Sequence, residues 1–247
     1  MPRHFLGRNR FRGLHRSDAG SGLRGRGLLP RIKRLILYDL DGTLVDTWED
    51  IILSIQHMLR QMGVPELPRG EIVHFVGRGV GHLVASCLKS DDPARIEQGV
   101  NIYRDFYAQH LLDHARLYPG ALRTLEHFKD RKQAVITNKP NPYSCQILSR
   151  LKVEDYFVQI VAGDSEYPRK PDPSSVQAIM RRYRIPPKEA LFVGDSAIDV
   201  QTGRNAGCAT VVVKHRFSDE DEIALAAPDR VVQRLDDLIA LSQREGW

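Results

Sequence analysis

The sequence predicts an α/β fold: a mostly parallel sheet with helices on both faces, interrupted after its first strand by an inserted helical cap. Three observations carry this prediction. From about residue 121 onward, short apolar strands alternate with amphipathic helices, the pattern of a parallel sheet covered on both sides. A separate apolar run, Leu35, Ile36, Leu37 and Tyr38, opens the pattern and ends in the carboxylates Asp39 and Asp41. Between the two lies a stretch, residues 47–115, with helical periodicity and no convincing strand.

Taken in chain order, residues 31–46 supply the first strand and its turn. Helix signals follow at 47–62, where Thr47 is a candidate N-cap and Glu49 and Asp50 suit the positive end of the helix dipole. Ile51, Ile52, Ile55, Met58, Leu59 and Met62 form its apolar stripe, and Gly63 and Pro65 end it. Further helical patterns cover 69–76, 80–89 and 93–113, and Tyr118-Pro119-Gly120 punctuates the chain. Strands are then expected at 134–137, 158–162, 190–193, 210–213 and 230–232, with helices at 121–129, 142–151, 173–184 and 197–206. Residues 31–46 and 116–247 thus make the sheet domain and 47–115 the cap. An insertion that starts just after the paired Asp lies over the carboxyl end of the sheet, where a lid belongs.

Composition narrows the class of protein. With 42% hydrophobic and 27% charged residues, the 247-residue chain reads as an ordinary globular protein, and no apolar run is long enough to span a bilayer. Its net charge of +5 is local: residues 1–30 hold seven arginines against Asp18, a balance of +6, which leaves −1 for the rest. This Gly/Arg-rich segment has no periodicity and is expected to be disordered. A functionless extension with its start codon set too far upstream is the preferred reading, ahead of an organelle-targeting peptide and an RG-type RNA-binding arm. A nucleic-acid partner has no basic stripe in the folded part to bind. Cys87, Cys145 and Cys208 are odd in number and form no CxxC, which suits a reducing compartment and a cytoplasmic location.

The polar residues gather where ligands sit, at the carboxyl ends of strands. Asp39 and Asp41 are two apart and can face one site. Thr137 and Asn138 follow the next strand, Lys170 stands in a stiff Arg-Lys-Pro-Asp-Pro turn, and Gly194-Asp195-Ser196 closes another strand, with Asp199 one helical turn on. Paired acids at such a point suit a hard cation, or a nucleophile beside a general acid/base. Phosphate monoester hydrolysis would need such an assembly. Its acceleration can reach about 10²¹-fold, and a single acid or base contributes only roughly 10²–10⁴. Charge on the transferring phosphoryl has to be met by a cation, a lysine and oriented donors.

Asp39-Leu-Asp-Gly-Thr43, Thr137-Asn138, Lys170-Pro-Asp-Pro173 and Gly194-Asp195-Ser196-x-x-Asp199 occur in an order that resembles the haloacid dehalogenase superfamily over roughly residues 34–240. The resemblance implies a Rossmann-like core and a Mg²⁺ ion held by Asp39, Asp195 and the backbone carbonyl of Asp41. It implies that Asp39 attacks phosphorus and that Asp41 protonates the leaving oxygen and then activates water. As an acid Asp41 has to hold a proton, which burial and negative neighbours would favour. Thr137, Asn138 and backbone N–H groups, Gly42 among them, would bind phosphate, Lys170 would offset charge, and Asp199 would orient Lys170 or metal-bound water. Asp41 argues against dehalogenases and phosphonatases, which lack an acid there, and the first cap helix has no Schiff-base lysine.

Within the superfamily the likeness is to phosphoglycolate phosphatases, carried by Val76-Gly77-x-Gly79, Tyr118-Pro119-Gly120, Val135-Ile-Thr-Asn-Lys139, Ala162-Gly163-Asp164-Ser165 and Gly194-Asp-Ser196. It implies hydrolysis of 2-phosphoglycolate, a small phosphorylated metabolite. A β-phosphoglucomutase-like mutase is the alternative, followed by a pyrophosphatase or a nucleotide or sugar phosphatase. Ile198 departs from the Asn common before the last Asp. Gly77-Arg78-Gly79-Val-Gly81 lacks dinucleotide-loop spacing and reads as a cap hinge or substrate loop, with Arg78 a candidate anion contact. Trp48 reads as hinge packing, and His110 and His114 as an i,i+4 pair on a solvated helix face.

Overall fold

The computed structural model describes residues 32–247; the expected disorder of residues 1–30 lies outside them. Six parallel strands form the sheet: β1 (Leu35–Tyr38), β4 (Lys132–Ile136), β5 (Gln159–Val161), β6 (Ala190–Gly194), β7 (Ala209–Val213) and β8 (Arg230–Val232), in the order β5-β4-β1-β6-β7-β8. Side-chain alternation along β1 explains why both faces are covered. Ile36 and Tyr38 join a core with α5 (Ala121–His127), α6 (Tyr143–Arg150) and α10 (Asp237–Glu245). Leu35 and Leu37 join a second core with α7 (Ser174–Tyr183) on the opposite face. A third, smaller cluster ties α8 (Ala197–Asn205) through Val200 to β7 and α9 (Glu220–Ala226). α9 and α10 were not foreseen from the sequence.

The cap consists of α1 (Trp48–Gln61), α2 (Arg69–His74), α3 (Val80–Leu88) and α4 (Pro93–His110). Of the stripe expected on α1, Ile51, Ile52, Ile55, Met58 and Leu59 are all within 3% of full burial, while Met62 caps the helix and is half-buried. Each such side chain contributes on the order of 1.5–3 kcal/mol by leaving water, so the cap is packed rather than propensity-driven. Its two connections to the sheet are joined by a short antiparallel pair, β2 (Val45–Asp46) and β3 (Arg116–Leu117), with Val45 opposite Leu117 and Asp46 opposite Arg116. Asp50 fastens the exit. Its carboxylate is buried and accepts from the backbone N–H groups of His114 (3.0 Å) and Ala115 (2.9 Å) and pairs with His114 Nδ1 at 2.8 Å.

Two sequence expectations are corrected here. His110 ends α4 and pairs with Asp113 at 2.7 Å, while His114 lies beyond the helix on Asp50, so the two share no helix face. Thr47 occupies the N-cap position of α1 but makes no side-chain cap bond; its hydroxyl donates to Asp41 Oδ1 at 2.7 Å. The bond to a charged acceptor fixes the hydroxyl on the site side of the helix end.

Candidate active site

The chain runs from β1 to β4 and β5 on one side of the sheet and then returns to β6, β7 and β8 on the other. β1 and β6 therefore flank the point where the strand order reverses, the crevice that open parallel sheets use for ligands. In register, Tyr38 lies opposite Val193 and Val135, so Asp39, Asp195 and Thr137 emerge at one edge.

Lys170 organises the floor. Its ammonium is 2.7 Å from Asp39 Oδ1 and 2.7 Å from Asp199 Oδ1, with the hydrogen bond going to Asp199. Burial alone would push a lysine toward neutrality, yet the two carboxylates outweigh it and hold Lys170 above its ordinary range as a permanent cation. Asp199 has no capacity left over: its Oδ2 accepts from Ser196 Oγ at 2.7 Å and from the N–H groups of Asp195 and Ser196, closing a capping box on α8. It is fixed as the brace of Lys170. Asp39 differs. It is buried, its Oδ1 meets the Lys170 ammonium and no other donor, and burial together with Asp199 and Asp195 raises its pKa well above the carboxylate range despite Lys170.

Asp195 is held from two sides, by Thr43 Oγ1 at 2.9 Å and by His215 Nε2 at 2.9 Å. The Phe217 N–H donates to His215 Nδ1 at 3.0 Å, which leaves the ring proton of the neutral imidazole on Nε2, directed at Asp195. Burial raises the Asp195 pKa while His215 and Thr43 oppose the rise. Gly42 is required beneath it: φ is +85°, and a Cβ there would lie 2.5 Å from Asp195 Oδ2. The Gly42 N–H goes to the Val45 carbonyl at 3.0 Å, so the expectation that it binds phosphate is corrected; the residue gives close approach instead.

The paired acids have different surroundings. Asp41 accepts from Lys139 Nζ at 3.0 and 3.2 Å and from Thr47. Its neighbours are donors, not the negative groups expected. Thr137 is buried, and its hydroxyl oxygen accepts from the Lys139 N–H at 3.1 Å, which leaves its own proton free for a ligand. The Asn138 side chain acts as a brace. Its Oδ1 accepts from the Lys170 N–H at 2.9 Å, and its Nδ2 donates to Gly77 O at 2.8 Å and to Lys170 O at 3.2 Å, so the amide is fully used.

Carboxylate oxygens of Asp39, Asp195 and Asp199 lie within 4.8 Å of one another. Three buried carboxylates this close together offer hard oxygen donors that fit a Mg²⁺ ion, which favours few carboxylates plus water and phosphate. Because Asp199 is saturated, Asp39 and Asp195 are the side chains able to hold it. The Asp41 carboxylate is turned to Lys139 and Thr47 and contributes no oxygen to this cluster.

Between these groups and the cap lies a cavity of about 80 Å³, bordered by Asp39, Asp41, Thr137, Lys139 and Lys170 below and by Trp48, Val80, Tyr103 and Tyr107 above. Gly77 and Gly79 border it, the first clipped to Asn138 and the second seated on the Arg169 guanidinium. Arg78 is exposed and does not line the cavity; Arg104 of α4 does. Trp48 stands at the neck, where its Nε1 donates to Tyr118 Oη at 2.9 Å and its ring lies 5.3 Å from that of His215.

Sequence reasoning missed Lys139, Thr47, Arg104 and His215 as members of the site. The signal for two of them was present: Lys139 is adjacent to Thr137-Asn138, and His215 follows β7 by two residues, again at a carboxyl end. No local pattern distinguishes Arg104 from other helix-surface arginines.

Comparison with known proteins gives a consistent result. A family profile described as haloacid dehalogenase-like hydrolase matches residues 36–213. A phosphoglycolate phosphatase of Vibrio vulnificus is 33% identical over 217 residues, covering 83% of this chain and 94% of its own. One from Pseudomonas putida is 34% identical over 224 residues, covering 87% and 79%. Among solved structures, a protein of Haemophilus somnus described as a predicted phosphoglycolate phosphatase superposes with a TM-score of 0.80 at 28% identity, over 86% of this chain and 99% of its own.

Proposed function

Because the chain belongs to the haloacid dehalogenase-like hydrolases and is a phosphoric monoester hydrolase, we propose that it hydrolyses 2-phosphoglycolate to glycolate and phosphate through an aspartyl-phosphate on Asp39. The observation that carries this reading is the contrast between the two acids at the floor of a cavity of about 80 Å³. Asp39 is buried with only the Lys170 ammonium on its Oδ1, whereas Asp41 is tethered to Lys139 and Thr47 within the same cavity. Nucleophile and proton carrier are thereby separated.

In this reading an Asp39 oxygen attacks phosphorus while the bond to the ester oxygen breaks, and Asp41 delivers a proton to that oxygen so that glycolate leaves as the alcohol. Asp41 then takes a proton from water as the water attacks phosphorus, which frees phosphate and restores Asp39. Lys170 supplies fixed positive charge, Thr137 donates its hydroxyl proton to a phosphoryl oxygen, and Asn138 and Asp199 keep Lys170 in place. A Mg²⁺ ion bound to Asp39, Asp195 and the Asp41 carbonyl would offset phosphoryl charge. The cap excludes water from the enclosed space.

The small cavity favours a compact ester over a sugar phosphate or nucleotide, since drug-sized ligands take roughly 300–1,000 Å³. The free cysteines fit the cytoplasm. The deciding experiment measures phosphate release from a panel of small phosphate esters with and without Mg²⁺. The highest kcat/KM is expected for 2-phosphoglycolate, with loss of turnover on chelation. A markedly higher value for another ester would replace the substrate named here. RNA affinity that falls steeply with salt and vanishes on removal of residues 1–30 would add a nucleic-acid role.

A further inference from the structure

Resting on the phosphoglycolate reading, we propose that the Tyr107 hydroxyl is the leaving-group contact of the site, selecting esters whose departing alcohol carries a carboxylate or other strong acceptor. Tyr107 lies on α4, is 1% exposed and borders the cavity above Asp39 and Asp41. Its hydroxyl is buried without a hydrogen-bond partner. Buried phenols nearly always find one, so an unpaired hydroxyl at the wall of a ligand cavity awaits a ligand acceptor.

The surroundings define that acceptor. The cap side of the cavity is mainly apolar, with Ile51, Val76, Val80 and Leu83 offering no hydrogen bonds. Tyr143, on the same wall, already donates to the Arg104 carbonyl at 3.4 Å. Charge of both signs surrounds Tyr107: Lys139 Nζ, itself paired with Asp41, is 4.6 Å from its ring centroid, Asp41 and Asp50 act on its hydroxyl, and Arg104 borders the same cavity. A phosphoryl group over Asp39 and Thr137 leaves the rest of a small ester facing this wall. An acceptor there meets a phenol donor in a cavity that Lys139 and Arg104 also border, and a purely aliphatic alcohol strands the hydroxyl. Burial raises the phenol pKa well above its usual value, so the group remains a donor at any working pH.

Tyr107→Phe isolates the hydroxyl. The ring keeps its stack on Tyr103 (centroids 5.3 Å, 10°) and its edge contact with Tyr143 (5.3 Å, 89°), so the variant should fold, with Tm unchanged or raised. The test compares kcat/KM for 2-phosphoglycolate with that for ethyl phosphate, which lacks the carboxylate. Wild type should prefer 2-phosphoglycolate, and Tyr107→Phe should reduce that preference by roughly 10- to 100-fold, with ethyl phosphate turnover little changed. If wild type shows the preference and Tyr107→Phe retains it, the hydroxyl is merely an unpaired structural group and the proposal fails while the function stands. If wild type shows no preference, both the substrate reading and this proposal fall.

Discussion

The strand ends and the cap wall face each other across one cavity and are built on opposite plans. At the strand ends nearly every polar atom is answered: Asp199 by four donors, Asp195 by Thr43 and His215, Asn138 by the Lys170 backbone and Gly77. The cap wall is apolar and aromatic and leaves the Tyr107 hydroxyl unanswered. A saturated network cannot reorganise cheaply, so it holds charges where phosphoryl transfer needs them. Such a wall does no chemistry and serves to choose. Catalysis and selection are thus divided between the two.

That division predicts how the regions respond to damage. The largest effect should come from Asp39→Asn, kept free of deamidation: kcat should fall for every ester alike by about 10⁴-fold or more, and phosphate should no longer be trapped on residue 39. Near-normal turnover would refute the nucleophile assignment. Asp41→Asn should cost roughly 10²–10⁴ in kcat, again regardless of leaving group. A loss confined to one ester would move Asp41 from chemistry to selection.

On the cap side, Asp50→Ala strips the acceptor from two backbone N–H groups and from His114. A loss of about 3 kcal/mol is expected, seen as a Tm drop of roughly 6–12 °C, with the residual folded enzyme keeping its kcat on ethyl phosphate. An unaltered Tm would show that the exit of α4 is not held there.

Smaller effects test the metal site. His215 presents a single N–H to Asp195 while its ring lies beside Trp48 at the neck. Exchanging it for Phe keeps an aromatic ring and removes the donor, and should weaken Mg²⁺ binding about 10- to 100-fold by titration of Tm; Gln should restore part of it.

Proton linkage gives the smallest signal. Asp39 and Asp195 both have raised pKa values. The folded state then binds protons more tightly than the unfolded chain, so their contribution to stability is present at low pH and is lost as pH rises toward those raised values. Mg²⁺ relieves the resulting charge. The stabilisation it gives, read from Tm, should be larger near about pH 7.5 than near about pH 5.5, reaching about 2.7 kcal/mol at a hundredfold excess over Kd. An increment that grows on acidification would place the ion elsewhere.

Much of the molecule was determined by sequence because its signals are local. β1 is an apolar run that had to be buried on both faces, α1 carries its stripe at helical spacing, and polar residues after a parallel strand emerge at the ligand-binding edge. Asp39, Asp41, Thr137, Lys170, Asp195 and Asp199 were readable by that rule. Tertiary structure decided what each of them does. Thr47 lost its capping role because Asp41 came within reach, Asn138 and Gly42 had their donors claimed inside the protein, and His114 left its helix for Asp50. His215 and Tyr107 acquired meaning only once β7 and α4 were packed beside residues 20 and 66 positions away along the chain. Hydrogen-bond competition and burial depend on distances in space, and spacing in sequence carries no record of them until the chain has folded.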